Sequence, residues 1–193
     1  MPAIDQARKL KSAFGDAVSE PLEFRGEITL VIADPQRVAE ICGFARRELG
    51  FDYLVDLCSV DLEGEVPRFF VVYELYSYAH RCHLRLKTGL PEEAPELPTV
   101  TPLWATANWH EREVYDLMGI RFRGHPDLRR ILMWEGYPHH PLRKEFPLAG
   151  KPTEVPEVAF TQAAPQEGGP FVTQSGGPDA TAREPRANVR EEP

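Results

Sequence analysis

Apolar positions along the chain recur with a helical period in some stretches and alternate in others, and the switches between the two predict the elements. Residues 3–14 carry the amphipathic spacing of a short helix. Leu22 to Phe24 and Ile28 to Ile32, on either side of Gly26, read as the two strands of a hairpin. Asp34-Pro35 supplies an N-cap followed by proline at the first helical position, and Gly50 stands where a C-cap glycine belongs, so the pattern predicts a helix over 35–49. Val38, Ile41, Cys42, Ala45 and Leu49 fall on one face of that helix. Three β-rich runs follow, at 53–61, 68–78 and 81–87. The last sets Cys82, Leu84 and Leu86 against Arg81, His83, Arg85 and Lys87, the alternation of a strand with one buried and one wet face. The order helix, two strands, helix, three strands predicts an α+β fold: a two-layer domain with a mixed β-sheet over residues 1–90.

Proline then interrupts the pattern. Residues 91–98, Pro91-Glu92-Glu93-Ala94-Pro95-Glu96-Leu97-Pro98, read as an acidic linker. Residues 99–149 contain a helical segment, expected from Pro102 to Gly119, and then a basic stretch. Residues 150–193 hold 7 of the 19 prolines and 5 of the 14 glycines and lack Trp, Tyr, Leu, Ile and Met, so they are expected to form an extended or disordered tail with no core of its own.

The formal net charge is −8 over 193 residues, with 22 Lys plus Arg against 30 Asp plus Glu. That balance excludes a general nucleic-acid-coating role, which needs a cationic field. The charge is uneven, however. Residues 121–144 gather Arg121, Arg123, Arg129, Arg130, Arg143 and Lys144 against only Asp127 and Glu135, a local +4 in an acidic chain. Such a patch suits an acidic protein surface, a phosphate or a nucleic acid. Cys42, Cys58 and Cys82 are odd in number and far apart, which fits neither a disulfide framework nor the four thiolates of an iron–sulfur cluster and suits a reducing compartment. The N-terminal residues do not read as a secretory signal, and the longest strongly apolar run, Phe69 to Tyr73, falls far short of a membrane-spanning helix.

The segment from Asn108 to Gly119 carries the candidate chemistry. Asn108 is placed to cap a helix, Glu111 three residues on to complete a capping box, and Gly119 to end it. On a helical projection Trp109, Arg112, Glu113 and Asp116 share one stripe, opposite Val114, Leu117 and Met118. Two carboxylates beside an arginine are expected to ion-pair rather than to act as acid and base. A hydrolase reading would use Glu111, Glu113, Asp116 and His110. An RNA-binding reading would use the basic stretch with Trp134 and Tyr137 as stacking platforms. Neither His110 with Glu113 nor His80 with His83 completes a known metal-ligand set, and the phosphate-loop, dinucleotide and serine-hydrolase motifs are missing from the sequence.

Glu111-Arg112-Glu113, Asp116-Leu117-Met118, His125, Arg129-Arg130-Ile131-Leu132 and the run His140-Pro141-Leu142-Arg143-Lys144-Glu145-Phe146-Pro147-Leu148 resemble, in order, the signature of the C subunit family of NADH-quinone oxidoreductase. Leu97 to Thr101, and Leu103-Trp104 to Asn108-Trp109, are similar to that family as well. Met118 stands where an aromatic residue is common, and His139 where glycine is usual. The resemblance implies a chain without catalytic residues, metal or cofactor, in the peripheral arm of respiratory complex I. FMN and the iron–sulfur clusters would belong to partner subunits, which carry electrons from NADH to quinone. It implies docking on the quinone-site subunit, itself similar to [NiFe]-hydrogenase large subunits. It further implies a peripheral place on the cytoplasmic side of the inner membrane, reached only through the complex and without nucleic acid. Glu111, Arg112, Glu113, Asp116, His125, Arg129, Arg130, His140, Arg143 and Lys144 are the expected signature and interface residues. The segment 108–144 is expected to be the docking element and the tail to extend over partners.

Overall fold

A computed structural model describes residues 2–147. Helix α1 (Ala3–Phe14) buries Ala7 and Leu10, and a hairpin of β1 (Leu22–Phe24) and β2 (Glu27–Ile32) follows. The helix expected over 35–49 is shorter. Pro35–Arg37 form a 3-10 turn, with the Asp34 carboxylate accepting from the Gln36 amide at 2.9 Å, and α2 runs Val38–Arg47. Gly50, at φ +72°, closes it, and the Phe51 N–H reaches back to the Ala45 carbonyl at 3.0 Å.

Strands β3 (Tyr53–Asp61), β4 (Phe69–Ser77) and β5 (Cys82–Leu90) complete a five-stranded mixed sheet in the order β1-β2-β5-β4-β3. Only β2 and β5 pair in parallel; the other three pairings are antiparallel. Register stacks Leu30 beside Leu86, Leu86 beside Tyr73 and Tyr73 beside Leu57. All four are buried on the inner face, whereas Thr29, Val31, Lys87, Arg85 and Glu74 turn the other way. A bulge between Leu54 and Asp56 explains how Leu54 and Leu57, three residues apart, both point inward.

Two further strands escape the periodicity of the sequence. Glu96–Pro98, at the end of the stretch expected as a linker, form β6 and pair in parallel with β7 (Arg121–Arg123). Leu97 is the reason: one fully buried side chain among prolines and acids, opposite the buried Phe122. Helix α3 (Ala107–Met118) is the crossover between them. It starts later than the expected Pro102, because residues 101–106 form turns. Asn108 is not its cap; Thr106 precedes the first helical residue, without a side-chain bond. Leu97, Val100, Trp104, Ala107, Val114, Met118, Ile120 and Phe122 join the apolar cluster built by the sheet, α1 and α2. The sheet therefore provides the surface on which α3 is fixed.

Gly89 shows how closely the outer side of the sheet is approached. A Cβ there would stand 2.3 Å from Cγ of Pro67, on a ring that cannot rotate away. Gly89→Ala is expected to lower stability by about 1–3 kcal/mol, read as an earlier urea midpoint with an unchanged slope.

Candidate functional site

Residues 125–145 cross the outward side of α3, and the charged side chains of the helix hold them there. Asp116, fully buried, is the centre. Its Oδ2 accepts from three successive amides, Ile131 at 3.0 Å, Leu132 at 2.7 Å and Met133 at 2.9 Å. Its Oδ1 accepts from Arg130 Nη1 at 2.7 Å, and the same nitrogen donates to the Asp116 carbonyl at 2.9 Å. Arg130 Nη2 donates to the Tyr137 carbonyl at 2.6 Å, tying the next turn of the segment down. Burial alone would push the Asp116 carboxyl up; the amides of Met133 and Leu132, the Arg130 guanidinium and the Ile131 amide together hold it below the usual carboxylate range.

The C-terminal end of α3 supplies the next anchors. His140 Nδ1 donates to the Asp116 carbonyl at 2.9 Å, the Leu142 amide to Leu117 at 3.1 Å and Arg143 Nε to Met118 at 2.7 Å. These bonds satisfy carbonyls that a helix end leaves without partners, and a cation suits that end of the dipole. Gly119 makes the approach possible. At φ +73° it takes the left-handed conformation, and a Cβ there would lie 2.6 Å from His140 Nε2 and 2.7 Å from Arg143 Nη2. Burial and the neighbouring Arg143 and Arg130 push His140 down toward the neutral form, which suits its place as an Nδ1–H donor. His125 is set similarly: its Nε2 faces the Asn108 carbonyl at 3.2 Å while Nδ1 accepts from the Asp127 amide at 3.0 Å, and burial lowers its pKa.

A second clasp fixes the far end. Arg68 makes a bidentate pair with Asp61, both contacts at 2.9 Å, and also meets Glu92 and Glu145. The Lys144 amide donates to Asp61 Oδ2 at 2.9 Å. Phe69 lies beneath both Arg68 and Arg143, at 4.8 and 5.1 Å from ring centroid to guanidinium carbon. Asp61 and Arg68 drew no attention in the sequence; an acid ending one strand and an arginine opening the next was the available signal.

Glu111 points inward. It accepts from the Val100 amide at 2.7 Å and from the Thr99 hydroxyl, instead of closing a capping box. Burial without a cationic partner raises its pKa to about 7, against the lowering effect of those two bonds. Among the described residues, then, the four hydrolase candidates are not assembled. Glu111 and Asp116 are buried in separate networks, Glu113 is exposed, and His110 pairs with Asp56 at 3.3 Å. Nor are Trp134 and Tyr137 set out as stacking platforms: their rings meet edge-to-face with centroids 4.5 Å apart, and Tyr137 is buried. No group of three or more His, Cys, Asp or Glu among the described residues is placed to hold a metal, and no described helix is long and apolar enough to cross a membrane.

The basic stretch therefore divides. Arg130 and Arg143 are committed within the chain, and Arg123 meets Gln36 at 2.7 Å. Arg129, 70% exposed at its side chain, pairs among the described residues with the exposed Asp127 alone. Of the expected signature and interface residues, Glu113, Arg129 and Lys144 are exposed, and Trp109, in the similar stretch just before them, is exposed as well. Trp109 and Arg129 border a cleft of about 300 Å³, which Arg112, Arg130, Ile131 and Glu135 also line.

Two expectations follow from the opposite signs of Asp116 and Glu111. Asp116→Ala leaves Arg130 and three amides without their acceptor and should cost about 3–5 kcal/mol, measured by urea unfolding at neutral pH. Glu111 takes up a proton on folding, so its stabilisation is complete below pH 4.5 and drains away as pH rises to about 7. Glu111→Gln should flatten the stability profile between those pH values while leaving the acid-side loss from Asp116, which sets in as pH falls below the usual carboxylate range, unchanged.

The family described as respiratory-chain NADH dehydrogenase, 30 Kd subunit, matches residues 31–152. The NADH-quinone oxidoreductase C subunit of Geobacter sulfurreducens is 47% identical over 147 residues, covering 76% of this chain and 90% of the relative. The C 2 subunit of Rhizobium meliloti is 50% identical over 140 residues, covering 72% and 76%. Among solved structures, the trypsin-resistant fragment (1-134) of Nqo5 superposes with a TM-score of 0.56 at 37% identity, over 64% of this chain and 98% of that one. A chain of the membrane-bound sulfane sulfur reductase, an archaeal respiratory membrane complex, shares the fold with a TM-score of 0.65 at 19% identity, over 75% and 85%. With the clasped α3 inside the matched span, the chain belongs to the C subunit family of NADH-quinone oxidoreductase, the 30 kDa subunit family of complex I.

Proposed function

We propose that the chain is a cofactor-free structural subunit in the peripheral arm of a proton-translocating NADH:quinone oxidoreductase. In this reading it docks on the quinone-site subunit, and partner subunits carry electrons from NADH through FMN and iron–sulfur clusters to quinone. The chain is held at the cytoplasmic side of the inner membrane by the complex alone. Residues 150–193, expected to extend over partner subunits, lie outside the described residues.

The observation that carries the docking role is the division of the signature. Its inward members, Glu111, Asp116, Arg130, His140 and Arg143, are satisfied by partners within the chain. Its exposed members, Glu113, Arg129 and Lys144, and Trp109 just before them in the chain, keep their side chains out of that network. Trp109 is 63% exposed, and Glu113 and Arg129 are open as well. Tryptophan and arginine are the residue types that most often anchor protein interfaces. Three scattered thiols, with Cys42 buried and its thiol pushed up by burial and by nearby Glu111, support the cofactor-free reading.

Reversing charge at Arg143 would break its bond to the end of α3, so it tests folding rather than docking. Arg129→Glu is the cleaner variant. Expressed with an affinity tag in place of the native chain, it should keep the wild-type melting temperature in isolation but recover markedly less of the other oxidoreductase subunits from mildly solubilised membranes. Undiminished recovery would remove Arg129 from the interface, and a wild-type chain that brings down no oxidoreductase subunit would overturn the proposal itself.

A further inference from the structure

Arg112 differs from the other deeply set arginines. Arg68 has Asp61 and Arg130 has Asp116 as carboxylate partners. Arg112, only 7% exposed, has none: its bonds run to neutral carbonyls, from Nε to Arg129 at 3.2 Å and from Nη2 to Arg130 at 3.5 Å. No described Asp or Glu comes within 4.0 Å of its guanidinium. Burying a cation is costly unless an anion compensates it. The neighbours add to the deficit. His125, close enough to feel the Arg112 charge, is pushed toward neutrality by burial, and Arg129 and Arg130 line the same cleft.

The remaining N–H groups of Arg112 are Nη1 and the second hydrogen of Nη2, the end-on fork of the guanidinium. That fork matches a carboxylate held in two parallel hydrogen bonds. Trp109, whose ring centroid is 5.0 Å from the Arg112 guanidinium carbon, and Ile131 give the cleft apolar walls, which suit the methylene stem of an Asp or Glu side chain. Glu135 on the same lining disfavours a doubly charged phosphate more than a singly charged carboxylate.

We infer that this cleft receives an Asp or Glu side chain of the partner polypeptide, which becomes the counter-ion of Arg112. The inference rests on the docking reading above and adds the chemistry of the residue that must enter. The site is assembled before the partner arrives, because the two carbonyls that orient Arg112 belong to residues 129 and 130, next to the amides bound by Asp116. Association then replaces water in the cleft with a desolvated charge pair. Such a pair contributes specificity, since a neutral side chain in that place would leave the cation uncompensated.

Arg112→Lys places a primary amine in the cleft, and a water-soluble carbodiimide joins an amine only to a carboxylate in contact with it. Complexes purified on the tagged variant would be treated with that reagent, digested and analysed by mass spectrometry. The expected product is an amide between position 112 and an Asp or Glu of another subunit, missing from the Arg112→Gln control. Ile131→Lys presents an amine to the same cleft with Arg112 in place, and keeps the test open if the first variant does not incorporate. Coupling only to Glu135 or other acids of this chain, or no coupling in assembled complexes, would overturn the inference while leaving the docking proposal intact. Failure of the wild-type chain to copurify with any oxidoreductase subunit would instead strike the docking proposal.

Discussion

The segment laid over α3 depends on one buried carboxylate, that of Asp116. Residues 125–145 form neither helix nor strand, and Tyr137 is their one buried hydrophobic residue, so hydrophobic burial alone would not fix them. Asp116 does so by accepting from three consecutive amides and one guanidinium at a site closed to water. Each bond is stronger for being formed in a poorly polarisable surrounding, and each would be costly to lose there. The end of α3 and the Asp61–Arg68 pair act as secondary anchors, so the segment is held at its middle and its end.

The sheet and the first two helices were legible in the sequence because burial there follows simple periods. Alternation in 81–87 and the apolar face of 35–49 reported directly which side met the core. The structure departs where a single residue outweighs its surroundings. Leu97 makes a strand of a proline-rich acidic stretch, and a bulge lets Leu54 and Leu57 share a face. Glu111 stands at capping-box spacing from Asn108, but Val100 and Thr99 offer it donors inside the core and it takes those. For the site, the sequence gathered the right residues without showing their directions. Proximity of Arg129, Arg130 and Arg143 suggested one basic surface; only the path of the backbone over α3 separates the two that are consumed within the chain from the one left outside.

On the docking reading proposed above, that separation connects fold to function. A docking surface built from irregular segments usually carries an ordering cost on binding. Here the signature residues on the inner side order the segment in advance, leaving Trp109, Glu113, Arg129 and the cleft above Arg112 in fixed relation to one another. Opposed charges inside the chain thus make the outer charges available at a defined spacing. The span that matches the 30 kDa subunit family, residues 31–152, contains both groups of residues.

If Asp116 orders the segment over α3 within this chain, that segment is formed before any partner binds. Amide hydrogen exchange of the isolated protein at Ile131, Leu132 and Met133 tests it most directly. Slow exchange at all three, abolished together by Asp116→Ala, is the predicted result. Exchange at the rate of an unstructured peptide in the wild-type chain, with protection arising only in the assembled complex, would contradict it.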